Sequence, residues 1–283
     1  MTEGAQARFL ADGRRLHLHH GPIDLIIDAK GPGREVALRT AVDRFQNVLS
    51  ELAGELDFLR QPVGPVVLGP AARRMRAAVA PFAPVFVTPM AAVAGSVADE
   101  ILGVMVAAGD LRTAYVNNGG DVAFHVATGE EMVAQIADGL SDRAVLRAGD
   151  GVRGVATSGW RGRSQSLGIA DSVTVLAPTA AAADAAATLI ANAVDLPGHP
   201  AIRRCPATEI SPDSDLGARL VTVEVGPLGK EDIDRALAAG LAFARGVADK
   251  GLIRAARLSL QGHVRIAGDM PGLEIQETER LDA

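Results

Sequence analysis

A carboxylate and a hydroxyl one helical turn apart form a small set of hard oxygen donors, and this chain carries such a pair. In Ala181-Ala182-Ala183-Asp184-Ala185-Ala186-Ala187-Thr188-Leu189-Ile190-Ala191-Asn192, the polar residues fall at i, i+4 and i+8. They make one polar stripe on an otherwise apolar helix. Asp184 and Thr188 could share Mg²⁺, with ligand phosphates completing its shell. Read alone, the stripe suits the solvated face of an amphipathic helix better. A second candidate is Thr157-Ser158-Gly159, followed by Trp160, Arg161 and Arg163. Amides, hydroxyls and guanidinium groups are what a phosphate requires, and a polar loop with solvated arginines is the competing reading. A third is Asn117-Asn118-Gly119-Gly120-Asp121. It reads first as a hairpin turn and second as backbone that a ligand can approach closely.

Other motifs carry less. Gly149-Asp150-Gly151-Val152-Arg153-Gly154 fits the dinucleotide pattern, with Asp171 at a suitable distance. That mechanism needs a helix after the glycines, whereas Val155-Ala156-Thr157 reads as a strand, so a glycine-rich turn is expected. Of His17, His19 and His20, only the first two share a strand face, and no third ligand is identifiable. Arg73, Arg74 and Arg76 read as a solvated helix face. No G-x-S-x-G elbow surrounds Ser158, Ser164 or Ser166. The single cysteine, Cys205, excludes an intramolecular disulfide and a multi-thiolate metal site.

The elements that must position these residues follow from periodicity. Strands are expected at Arg15–His19 and Ile23–Ile27, and a helix from about Val36 to Leu52. A short helix at Ala71–Ala80 and a brief apolar run at Val85–Val87 precede a long helix from Ala91 to Ala108. Strands then flank the Gly119-Gly120 turn and recur at Met132–Ile136, Gly154–Thr157 and Ser172–Leu176. The alanine-rich helix runs to about Val194, and Gly198–Asp215, with its three prolines, reads as a loop. A strand at Leu220–Val225, a helix at Glu231–Ala248 and a strand pair around Leu258–Ile266 complete the chain. The mixture lacks regular β-α alternation and favours α+β.

Composition bounds the partners. Over 283 residues the net charge is −6, and no basic face stands out for nucleic acid. No uninterrupted apolar run reaches the length of a membrane span, and Met1–Arg8 lacks a signal-peptide core. The expectation is a cytoplasmic protein taking a small molecule or nucleotide, with no nucleic acid and no membrane, and with room for a homodimer. Alanine accounts for 51 residues, and arginine outnumbers lysine by 25 to three.

Three segments, in order and spacing, resemble the ApbE superfamily of flavin-transferring (FAD:protein FMN transferase) enzymes, and most closely its ApbE-like branch. The first is Pro89-Met90-Ala91-Ala92-Val93-Ala94-Gly95-Ser96-Val97-Ala98-Asp99, with Asn118-Gly119-Gly120-Asp121 following. The second is Ala156-Thr157-Ser158-Gly159 running into Ser164-Gln165-Ser166-Leu167-Gly168-Ile169-Ala170-Asp171. The third is Ala183-Asp184-Ala185-Ala186-Ala187-Thr188 with Asn192. The resemblance implies an ApbE-like (T-fold-like) α+β domain over residues 1–283, with mixed or antiparallel sheets packed against helices and room for two interleaved subdomains. It implies FAD or a related nucleotide as ligand and Mg²⁺ on Asp184 and Thr188, with a backbone carbonyl near Val93 as third donor. Gly119, Gly120 and Asp121 would face Thr157, Ser158, Gly159, Ser166 and Gly168 across the ligand, with Asp171 and Asp184 as catalytic candidates. Two departures stand out. Ala94 replaces the lysine of the transferases, and Ser164 to Asp171 replaces their His-…-Asp-Pro-…-Thr-Gly motif. The alternatives are a non-catalytic flavin- or nucleotide-binding partner of a redox system, and a metal-independent enzyme acting on a small metabolite.

Overall fold

A computed structural model describes residues 4–62, 66–135, 143–162 and 164–270. The chain opens with β1 (Gln6–Phe9), β2 (Leu16–His20) and β3 (Ile23–Lys30), then α1 (Arg34–Gly54), the single turn α2 (Leu56–Leu59) and α3 (Pro70–Val79). A 3-10 turn at Pro89–Ala92 leads into α4 (Val93–Ala108), followed by β4 (Thr113–Asn118), β5 (Asp121–Val126), β6 (Glu131–Gln135), β7 (Arg143–Arg147) and β8 (Gly154–Ser158). Next come β9 (Ser172–Ala177), α5 (Ala180–Ala193), β10 (Ile202–Pro206), α6 (Ala207–Ile210), β11 (Leu220–Val225), α7 (Lys230–Asp249), β12 (Ala255–Leu260) and β13 (His263–Gly268). Helices and antiparallel strands are intermixed, so the α+β expectation holds.

Nine strands pair in the order β1-β2-β3-β4-β5-β8-β9-β12-β13, and every neighbouring pair is antiparallel. The alternation of strand side chains assigns one face to the helices and the other to a smaller core. On β5, Ala123 joins the main core with Val97, Ile101 and Ala187, whereas Phe124 and Val126 pack with Leu146, Val155 and Leu176. The sheet narrows at one point. β5 and β8 share only the pairs Val122↔Val155 and Ala123↔Gly154. Beyond Val122 the strands no longer pair, and the Thr157 N–H donates instead to the Asp121 side chain (3.3 Å). α4 packs on β4 and β5, and α5 packs on β8 and β9, so the waist lies beneath the seam between the two helices.

Local rules explain most of the elements. Alanine is the best helix former, and Thr179 caps α5 by accepting the Ala182 N–H (3.1 Å). Gly119 and Gly120 have φ of 64° and 117°, as a two-residue hairpin turn requires. Gly149–Gly154 enters β8 directly and no helix follows it, as a turn would. The prolines of Gly198–Asp215 hide a strand, β10, which pairs with β11 rather than with the main sheet. β7 also pairs where no strand is expected, β1 adds a further strand to the strand-rich start, and the apolar run Val85–Val87 forms no strand. Ile136, expected to end β6, lies outside the described residues. Pro89–Ala108 has a mean hydropathy of 1.6 and enough length to cross a bilayer by composition alone, despite Asp99 and Glu100. Half of it is buried inside the fold, against α1, α5, β4 and β5.

Two glycines allow the seam to close. A Cβ at Gly95 would fall on the Ala180 carbonyl, and one at Gly154 on the Thr179–Ala180 peptide. Both neighbours are backbone and cannot rotate away. Gly95→Ala should therefore lower stability by roughly 1–3 kcal/mol, although alanine adds about 1 kcal/mol of helix propensity. Gly149→Ala, with nothing within 4 Å of its Cβ, should leave the melting temperature unchanged. Thermal denaturation of the two variants beside the parent checks this.

Candidate functional site

The first turn of a helix leaves amides without intrahelical partners, and at the seam each helix borrows its acceptor from the other. Asp99, on α4, accepts the Ala180 N–H on Oδ1 (3.0 Å) and the Ala181 N–H on Oδ2 (2.9 Å). Asp184, on α5, accepts the Gly95 N–H on Oδ2 (3.0 Å). α4 has no side-chain cap of its own, so Asp184 supplies it. Asn118, the last residue of β4, donates from Nδ2 to the Ala94 carbonyl (3.1 Å) and ties the hairpin to the same turn. Thr188 lies one turn beyond Asp184 on α5 and is half-buried.

This arrangement gathers negative charge. Burial, and then the Asp121 charge, push Asp184 well above the usual carboxylate range, against the opposing pull of the Gly95 and Ala94 N–H groups; the Asp99 charge adds to the rise. Asp99 is also raised, first by burial, with the Ala181 and Ala180 N–H groups pulling the other way. Asp121 reaches the cluster from β5, where its Oδ1 also holds the Thr157 amide. A desolvated carboxylate with two like charges nearby favours either a proton or a cation.

Comparison with known proteins assigns the family and the fold. A sequence model of the family described as "AbpE bacteria" matches residues 7–266. The chain belongs to the AbpE bacteria family. A UPF0280 protein of Methanopyrus kandleri is 41% identical over 124 residues, 43% of this chain and 48% of that protein. One from Methanococcoides burtonii is 40% identical over 116 residues, 39% of this chain and 47% of its own length. The chain thus spans about half the length of these curated relatives. The crystal structure of the ApbE protein of Thermotoga maritima superposes with a TM-score of 0.50 at 11% identity, covering 93% of this chain and 96% of that one. At that identity the likeness shows the fold.

Within this AbpE bacteria fold the other expected residues take distinct positions. Gly119 and Gly120 are exposed at the hairpin tip beside Asp121. Thr157 shares a hydroxyl–hydroxyl bond with Thr174 (2.9 Å), and Ser158 ends β8 half-buried. Gly159 is buried, and a Cβ there would fall on the Asp171 carbonyl. Ser166 and Gly168 lie at the other end of the α5 stripe: Ser166 Oγ donates to Asn192 Oδ1 (3.2 Å) and the Gly168 N–H donates to Ser166 Oγ (3.2 Å). Asp171 serves as a fastener. Its Oδ1 accepts the Trp160 indole N–H (3.2 Å), and its Oδ2 accepts the Gln261 N–H in the β12–β13 turn. Arg161 lies over the Trp160 ring and 3.7 Å from Asp171. Arg163 lies outside the described residues. The charge that acts most strongly on Asp184 is that of Asp121, and the residue that seats α5 is Asp99. Sequence reasoning named both without these roles, because the partners are far apart in the chain: Asp99 meets a helix start 81 residues on, and Asp121 acts on Asp184 from another element.

The donor set suits a hard cation. Among the described residues no three His, Cys, Asp or Glu side chains are arranged to hold a metal. A cation here would draw on Asp184, the Thr188 hydroxyl, backbone carbonyls and ligand phosphates, as Mg²⁺ commonly does. The raised Asp184 also sets a sign. A carboxyl whose folded pKa lies above its unfolded value stabilises the fold below the ordinary pKa of 3.8 and loses that contribution as pH rises through the folded value. In EDTA, Asp184→Asn should therefore melt above the parent at pH 8. The gap should shrink as pH falls and close near pH 4, as calorimetric scans across that range would show.

Proposed function

We propose that the Asp184–Thr188 stripe and the loops facing it form a site for a flavin nucleotide held through its pyrophosphate together with Mg²⁺. The observation that carries this reading is Asp184 itself, a desolvated carboxylate seated on the first turn of α4 beside Asp121. The resemblance to flavin transferases supplies the ligand class. Magnesium, when bound, would neutralise the pyrophosphate and ease attack at phosphorus. Asp184 and Thr188 would hold the cation, with a carbonyl near Val93. The Gly119-Gly120 turn offers backbone without side chains, and Thr157, Ser158 and Gly159 would form the facing wall.

The reaction that fits is phosphoryl transfer from FAD. An acceptor or water oxygen bonds to the FMN phosphorus, the bond to the AMP phosphate breaks, and AMP leaves. A second reading, binding without turnover, is favoured by Ala94 where the transferases have lysine and by the Ser164–Asp171 segment in place of their histidine motif.

Calorimetry should show FAD binding that requires Mg²⁺ and is weakened at least about tenfold by Asp184→Ala, equivalent to about 1.4 kcal/mol. Thr188→Val should weaken it less. Affinity should fall from pH 8 to pH 5, because the proton and the cation compete for Asp184. AMP release detected by chromatography, abolished by EDTA and by Asp184→Ala, assigns the transferase. Binding without AMP assigns the non-catalytic module. FAD binding indifferent to both Mg²⁺ and Asp184 overturns the site.

A further inference from the structure

Residues 207–219 form a compact loop on the β10–β11 hairpin. Its ends meet where the Ala207 N–H donates to the Arg219 carbonyl (2.9 Å), and it is folded on itself by the Thr208 N–H to the Gly217 carbonyl (3.2 Å) and the Ser214 N–H to the Ser211 carbonyl (3.0 Å). Compact surface loops of this length, with ends that meet, pack on their own side chains and are frequently functional. Its solvent side, Thr208 to Asp213, is exposed, whereas Ser214 to Gly217 are half-buried. The buried side touches the body at two places.

At one place the Thr88 hydroxyl donates to Asp215, and the Arg219 guanidinium lies 3.3 Å from the centroid of the Phe86 ring. Thr88 immediately precedes the turn that leads into α4, whose Gly95 amide meets Asp184. At the other place Gln165 is held twice, its Nε2 donating to the Ala207 carbonyl (3.1 Å) and its Oε1 accepting from Ser214 Oγ (2.7 Å). The next residue, Ser166, bonds Asn192, and its carbonyl accepts the Thr222 N–H of β11 (2.9 Å). The polar stripe on α5 thus has one wall at its Asp184 end and another at its Asn192 end, about 12 Å apart along the helix. The loop is fastened to the residue before Ser166 and, through Thr88, to the segment that enters the α4 turn.

We propose that the 207–219 loop is a gate over the Asp184–Thr188–Asn192 stripe, with the Thr88–Asp215 bond as its latch and Gln165 as its anchor. The loop carries Glu209, Asp213 and Asp215 against Arg219 alone, so while latched it adds net negative charge to that side of the molecule and opposes entry of a phosphate anion. Opening frees the Thr88 hydroxyl and removes that charge. The phosphate part of this inference rests on the reading of the stripe as a nucleotide site; the covering itself does not.

The test uses a Thr188→Cys probe in a Cys205→Ser background, labelled with iodoacetamide far below the melting temperature. Asp215→Ala and Gln165→Ala should each accelerate labelling about fivefold or more, with amide exchange rising in 207–219 while β10 and β11 stay protected. Asp213→Ala, on the exposed side, should match the parent. Equal labelling rates in all four proteins overturn the gate. Faster labelling in the latch variants, together with Mg·ADP that binds neither the Thr188-containing parent nor its Asp215→Ala and Gln165→Ala variants by calorimetry, supports the gate and overturns the nucleotide reading. Faster labelling with faster Mg·ADP association supports both.

Discussion

The exchange of caps between α4 and α5 is the interaction on which the rest of the structure depends. Each helix begins with amides that its own chain leaves unpaired, and each finds its carboxylate on the other helix. Hydrogen bonds to ionised acceptors are among the stronger ones, and buried amides without them would be costly. The pairing is therefore reciprocal: withdrawing Asp184 leaves the Gly95 amide of α4 without its side-chain acceptor, and withdrawing Asp99 does the same to the Ala180 and Ala181 amides of α5. It also fixes position along both axes, because Asp99 sets where α5 starts and Asp184 sets where α4 starts.

The price of this seam is electrostatic. It brings the Asp99 charge close enough to add to the rise of Asp184, and Asp121 joins from the sheet at the point where β5 and β8 stop pairing. A fold selected for stability alone would neutralise that cluster. Such a cluster, beside the point where β5 and β8 part, is the arrangement expected of a site that awaits a cation or a proton. The small residues serve the same end. Gly95 and Gly154 let backbone meet backbone at Ala180, and the alanines along α5 let it lie against the sheet with almost no intervening side chain.

What was legible in the sequence was local. Periodicity places α1, α7 and the hairpins, the paired glycines place the β4–β5 turn, and the i, i+4 spacing isolates Asp184 and Thr188 on one stripe. What was not legible was contact across distance. Nothing near Asp99 says that it will cap a helix some eighty residues later, because the signal is a buried amide elsewhere. Asp171 is a candidate through the Ser164–Asp171 segment of the resemblance, and the sequence does not show that its oxygens hold the Trp160 indole and the Gln261 amide. β10 was hidden by its own charges and by Pro206, because a strand in a two-stranded ribbon need not show the alternation of a core strand.

The most direct measurement is paramagnetic. Mn²⁺ in place of Mg²⁺, added with ADP to isotopically labelled protein, broadens the resonances of amides near the bound ion. The account predicts selective loss of the Gly95, Asp184 and Thr188 amide signals at stoichiometric Mn²⁺, abolished by Asp184→Ala. Broadening confined to exposed surface acids such as Glu35 and Asp269, with those three amides unaffected, would contradict it.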